Sequence, residues 1–138
     1  YKFINNMTST LKIFNNQLVN LGRVLVERFP ENKELKLGLT GIETLKNCNP
    51  KKNIEMFTLY GYKYREEILN ENESFFLEED LISSNFDKNE VNDETFDIMK
   101  TLKENWNLLE KNEKSNIWKY LKVLIKLNEK YIKSFIAK

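Results

Sequence analysis

From Ile117 to Phe135 apolar side chains return every three or four residues, the period of an α-helix and not the period of two that a strand requires. At about 100° per residue, Ile117, Leu121, Leu124, Ile125, Asn128, Ile132 and Phe135 fall on one face. Lys119, Lys122, Lys126, Lys130 and Lys133 fall on the opposite one. Such a helix, beginning at Asn112 and running to about Ile136, has to lay its apolar face on another element. The chain is therefore committed to helix-on-helix packing.

The same period governs most of what precedes it. A first helix is expected from Thr8 or Ser9 to Arg28, with Leu11, Phe14, Leu18, Leu21 and Leu25 on one face, widened by Val19 and Val26. Phe29-Pro30 stops it. Asn32 is placed to cap a second helix carrying Leu35, Leu39, Ile42 and Leu45, in which Gly38 and Gly41 each cost roughly 1 kcal/mol relative to alanine. Asn49-Pro50 reads as the cap and first residue of a third helix bearing Ile54, Phe57 and Tyr60. Gly61 separates it from a short fourth segment, Tyr62–Leu69. Asp93 is expected to cap a fifth helix over Glu94–Glu110, with Ile98, Met99, Leu102, Trp106 and Leu109 aligned. Neither a strand pattern nor an internal repeat competes. The expected architecture is all-α: one domain over residues 1–138, a compact bundle of five or six helices with one irregular acidic connection at about 70–93.

At 138 residues, 41% of them hydrophobic, the chain is long enough to bury a core without cross-links. Its net charge of +1 hides a division. Glu66 to Glu94 holds 11 acidic residues and one lysine, a net of −10 in 29 positions, whereas residues 111–138 carry a net of +6. No apolar run approaches the ~20 residues of a membrane span, and the polar stretch Tyr1–Phe14 is unlike a signal peptide, so an intracellular setting is expected.

The residue types present narrow the chemistry. There is no histidine, which removes the commonest general base and metal ligand. A single cysteine, Cys48, allows neither an intrachain disulfide nor a zinc site of the cysteine–histidine kind; it sits at an expected loop with nothing to activate it. Four glycines form no phosphate-cradling loop. The acidic cluster Glu71, Glu73, Glu78, Glu79 and Asp80 lacks the spacing of a calcium loop and reads as a solvated acidic connection. The expectation is a protein that is not an enzyme, with no cofactor and no metal.

What remains are surfaces. Trp106 and Trp118 belong with the core. Tyr60, Tyr62 and Tyr64 alternate near a helix break and cannot all face one core, which makes them candidates for a protein interface together with Phe75 and Phe76. The lysine face of the last helix, Lys119, Lys122, Lys126, Lys130 and Lys133, is a candidate basic surface. Phosphate, the chain's own acidic stretch and plain solvent are its competing occupants. The absence of arginine from this face counts against phosphate.

Several segments in order, Phe14-Asn15-Asn16-Gln17-Leu18, Phe29-Pro30 through Leu35-Lys36, Asn49-Pro50-Lys51-Lys52, Phe75-Phe76-Leu77-Glu78-Glu79-Asp80 and Asn116-Ile117-Trp118-Lys119-Tyr120-Leu121, resemble a group of small, uncharacterised, all-helical proteins encoded by giant DNA viruses of the mimivirus and phycodnavirus kind. Nineteen lysines and 19 asparagines against one alanine, Ala137, match the codon preferences of an A+T-rich genome. The resemblance implies a viral setting, the virion or the viral factory in the host cytoplasm, and brings no activity or site residue with it. The expected function is a structural or adaptor role through protein–protein contacts, with other viral proteins or a second copy (a homo-oligomer) as partners and no membrane. The alternative is a nucleic-acid-associated protein that uses the lysine face.

Overall fold

The structure is a computed structural model that describes residues 2–74 and 98–136, with side chains from residue 7 to 74 and from 100 to 136. These residues form six α-helices and no strand, the all-α class the periodicity calls for: α1 (Lys2–Arg28), α2 (Lys33–Cys48), α3 (Pro50–Tyr60), α4 (Arg65–Leu69), α5 (Ile98–Asn105) and α6 (Lys111–Ile136). Two 3-10 turns, Tyr62–Tyr64 and Trp106–Leu108, lead into α4 and away from α5.

The two long helices, α1 and α6, set the frame. Arg28 Nε at the end of α1 lies 2.6 Å from Glu113 Oε2 in the first turn of α6, and Arg28 Nη2 donates to Leu108 O at 2.8 Å. Further along, α3 touches both helices: Phe57 meets Phe14 edge to face at 5.4 Å, and Thr58 Oγ1 accepts from Asn128 Nδ2 at 2.6 Å. Position 14 of α1 thus stands opposite 128 of α6, and 28 opposite 113, so the pair is antiparallel. Leu18, Leu21, Leu25, Ile54, Leu121, Leu124 and Ile125 fill the space between, all buried.

Helix boundaries depart from the periodicity in instructive ways. Helix α1 starts at Lys2, ahead of Thr8, because Met7, one turn before Leu11, still packs against the core. Asn32 caps α2 as expected, its side chain accepting from Leu35 N at 3.1 Å. Asn49 does not cap α3 with its side chain; it ends α2 through its backbone N–H to Leu45 O, and Pro50 opens α3 directly. Cys48 is therefore the last residue of α2 and not part of a loop, with Sγ donating to Thr44 O at 3.0 Å. Gly61 stops α3, where a Cβ would stand 3.1 Å from both the ring and the carbonyl of Phe57. The fifth helix ends at Asn105, and the rest of its expected length becomes the 3-10 turn and the extended Leu109. Its expected start, residues 94–97, lies outside the described residues. Glu110 then precedes α6 with one half of a capping box: its backbone N–H donates to Glu113 Oε1 at 2.8 Å.

Around α6 the core arc is rotated from the one the spacing implies. Ile117, Leu121, Leu124, Ile125 and Asn128 are buried as expected, but Trp118 and Tyr131 join them, while Ile132 is half-buried and Phe135 is 51% exposed. Trp118 is drawn in by Trp106, the two rings meeting edge to face at 5.1 Å.

Candidate functional site

The sequence-predicted residues separate cleanly. Tyr64 is buried in the core, 5% exposed, and so is not an interface tyrosine; the 3-10 turn after Gly61 points it inward beside Ile68. Tyr60 and Tyr62 are half-buried, Tyr62 packing on the core's edge. Phe75 and Phe76 lie outside the described residues, as do Glu78, Glu79 and Asp80. Trp106 and Trp118 are core residues, as read from the sequence. The lysine face is what the fold presents to solvent, and it is not uniform.

One flank of α6 is covered by the chain's own segment 65–74, which runs antiparallel to it. Arg65 bonds Glu129, Glu71 Oε2 meets Lys122 Nζ at 2.5 Å, and Glu73 Oε1 meets Lys114 Nζ at 2.5 Å. Lys122 is half-buried in consequence. The start of the acidic stretch therefore folds against the basic helix. The carboxylate of Glu73 also accepts from Trp106 Nε1 at 2.9 Å, satisfying an indole whose ring is wholly buried. The Lys114 and Trp106 donors together hold the Glu73 carboxyl below its usual range. Lys114 stands over the Trp106 ring, 5.6 Å from its centroid. On the other side of the pair, Glu129 raises the Arg65 guanidinium, keeping it more firmly protonated.

A local backbone feature aims this segment. Asn72 N donates to Glu67 O at 2.9 Å and Glu71 N to Ile68 O at 3.1 Å, the two bonds of a Schellman ending to α4. The ending puts Glu71 at φ 51°, a left-handed conformation that normally falls to glycine. Glutamate there reaches Lys122 at the cost of that strain. Sequence reading missed Glu71 and Glu73 as partners of α6 lysines because their separations, 51 and 41 residues, carry no local period.

The other four lysines differ. Lys119, Lys126, Lys130 and Lys133 are exposed, and among the described residues no carboxylate lies within ion-pair distance of them. Both glutamates of α6 are engaged elsewhere, Glu113 with Arg28 and Glu129 with Arg65. Ile136, 77% exposed, follows one turn after Lys133, and Phe135, across the helix from the row, packs edge to face on Tyr131 at 5.0 Å. Burial, and then the nearby Glu55 carboxylate, push the Tyr131 phenol up, so it stays neutral beneath this patch.

Elsewhere the polar groups of the interior serve the fold. Asn53 Nδ2 donates to both Asn15 Oδ1 and Ile42 O, and Asn15 Nδ2 donates to Pro50 O. A shallow cleft of about 300 Å³ between α1 and the start of α6 is lined in part by Val24, Glu27, Asn116 and the Arg28–Glu113 pair, whose charges are spent on each other. Among the described residues no group of three or more acidic or cysteine side chains converges as a metal site would require. No described helix is long and apolar enough to cross a membrane. No protein-family model, curated protein or solved structure matches the chain.

Proposed function

We propose that this chain is a non-enzymatic structural or adaptor module that works through protein–protein contacts. The observation that carries the reading is the exposed end of α6, where Phe135 and Ile136 are large apolar side chains open to solvent and Lys133 stands one turn before Ile136. Large apolar groups bordered by charge are the composition of a protein interface, with an apolar centre and a polar rim. A phosphate-tracking surface has no use for them. The resemblance to giant-virus proteins supports a setting in the virion or the viral factory. Four exposed lysines with no carboxylate partner among the described residues speak for the nucleic-acid reading, but none is the arginine that grips phosphate with two hydrogen bonds.

The test is quantitative affinity capture with the wild-type chain beside a Phe135→Ser/Ile136→Ser variant. The reading expects proteins, or a second copy of the chain, that bind the first and are lost from the second. A wild-type chain that elutes as a monomer and recovers nothing the variant loses sinks it.

A further inference from the structure

We infer that the row Lys119, Lys126, Lys130 and Lys133 on α6 is a docking strip for an acidic segment of a partner protein, an inference that rests on the protein-binding reading above. The fold itself shows how this helix takes carboxylates. Along its adjacent flank, α6 already holds an acidic stretch of backbone, with Glu71 on Lys122 and Glu73 on Lys114. The left-handed Glu71 and the turn that follows it bring both carboxylates onto one flank of the helix.

The row offers the same lysine chemistry, and among the described residues no carboxylate occupies it. Lys119, Lys126 and Lys130 lie within about 40° of one another around α6, and Lys133 within about 60°, over a length of about 21 Å. The rest of that arc is asparagine, serine and Val123, with no carboxylate. Lys126 and Lys130 stand about 6 Å apart along the axis, close to the ~6.8 Å between alternate side chains of an extended peptide. Like charges at this spacing destabilise an isolated helix, and an acidic partner reverses the sign of that effect.

The observations favour a peptide over a nucleic acid. The row lies on one helix, has no arginine, and has the exposed Ile136 one turn beyond Lys133, which suits an acidic segment with an apolar residue at one end. Stacking platforms for bases are missing from it, since Tyr120, the nearest aromatic on that side, is half-buried against the core.

The experiment titrates the full chain with a fluorescent peptide of alternating glutamate and serine, and separately with an oligothymidylate of equal charge. The peptide is expected to bind at low salt, to be released as salt rises, and to bind about tenfold more weakly to Lys126→Glu/Lys130→Glu. Lys33→Glu/Lys36→Glu, on the exposed start of α2, is expected to bind as the wild type does. No peptide binding at low salt, equal binding by the row variant, or tighter binding of the oligothymidylate each overturns the docking strip. All substituted lysines are exposed, and matching thermal melts confirm that the variants fold. The two readings fail separately: if the row variant still captures the proteins that Phe135→Ser/Ile136→Ser loses, the strip is wrong and the protein-binding function stands.

Discussion

Asn53 of α3 donates its side-chain amide to Asn15 Oδ1 of α1 at 2.9 Å, across 38 residues of sequence and out of reach of solvent. The same nitrogen serves Ile42 O of α2, so one amide ties three helices together. Asn53→Ala leaves Asn15 Oδ1 buried without its donor and removes the second bond to Ile42 O, whose own helix still serves it, and the orphaned oxygen costs about 1–3 kcal/mol. Asn53→Asp is expected to be worse, because a carboxylate would face two oxygens that can only accept. Urea unfolding at neutral pH should rank the stabilities wild type, then Asn53→Ala, then Asn53→Asp. An aspartate variant as stable as the alanine one would show that water reaches this junction.

Two helical glycines separate propensity from packing. At Gly41 an added Cβ meets nothing within 4 Å, so Gly41→Ala should raise stability by about 0.5–1 kcal/mol through backbone entropy alone. At Gly22 it would stand 2.9 Å from Leu39 Cδ1, where α1 and α2 approach each other. Leu39 has to swing aside, which removes part or all of the same gain. Denaturation midpoints at unchanged slope should therefore rise more for Gly41→Ala than for Gly22→Ala.

These cases also mark what could be read in the sequence. Apolar periodicity located the helices and nearly all of the core because it is a local signal, repeated from Leu11 to Ile125 on every buried face. It misplaced what tertiary contact decides. Phe135 is expected inside and lies outside, while Tyr131, absent from the expected inner face, is buried. Tyr64 faces the core because a 3-10 turn, and not a continued α-helix, follows Gly61. The lysine face was legible as a stripe. Its division into paired and unpaired lysines was not, since that depends on where Glu71 and Glu73 return to α6.

Glu71 offers a measurement of backbone strain. Its φ of 51° costs a side-chain-bearing residue roughly 1 kcal/mol or more that glycine does not incur. Glu71→Ala and Glu71→Gly both lose the Lys122 ion pair, which is half-exposed and contributes about 1 kcal/mol at most. Only the glycine variant relieves the dihedral. It should therefore be the more stable of the two by several tenths of a kcal/mol to about 1 kcal/mol, and equal melting of both would mean that the left-handed cap carries no strain.

The Glu73 carboxylate predicts a pH dependence whose sign is fixed. Hydrogen bonds from Lys114 and Trp106 lower its folded-state pKa below the ordinary value of 4.5, so the folded form binds the proton less well than the unfolded chain does. The stability it confers is complete above that ordinary value and disappears as pH falls through the lowered one. Glu73→Gln keeps an acceptor for the indole N–H but loses the charge that faces Lys114. The stability difference between wild type and Glu73→Gln should be largest near neutrality, about 1 kcal/mol or less for a carboxylate this open to solvent, and should shrink steadily below about pH 4.5. High salt should reduce it at neutral pH while leaving the Trp106 contact in place. A difference that stays constant from neutral to acid pH would assign the loss to the hydrogen bond and not to the ion pair, and would remove Lys114 from the account of how the acidic stretch is fastened to α6.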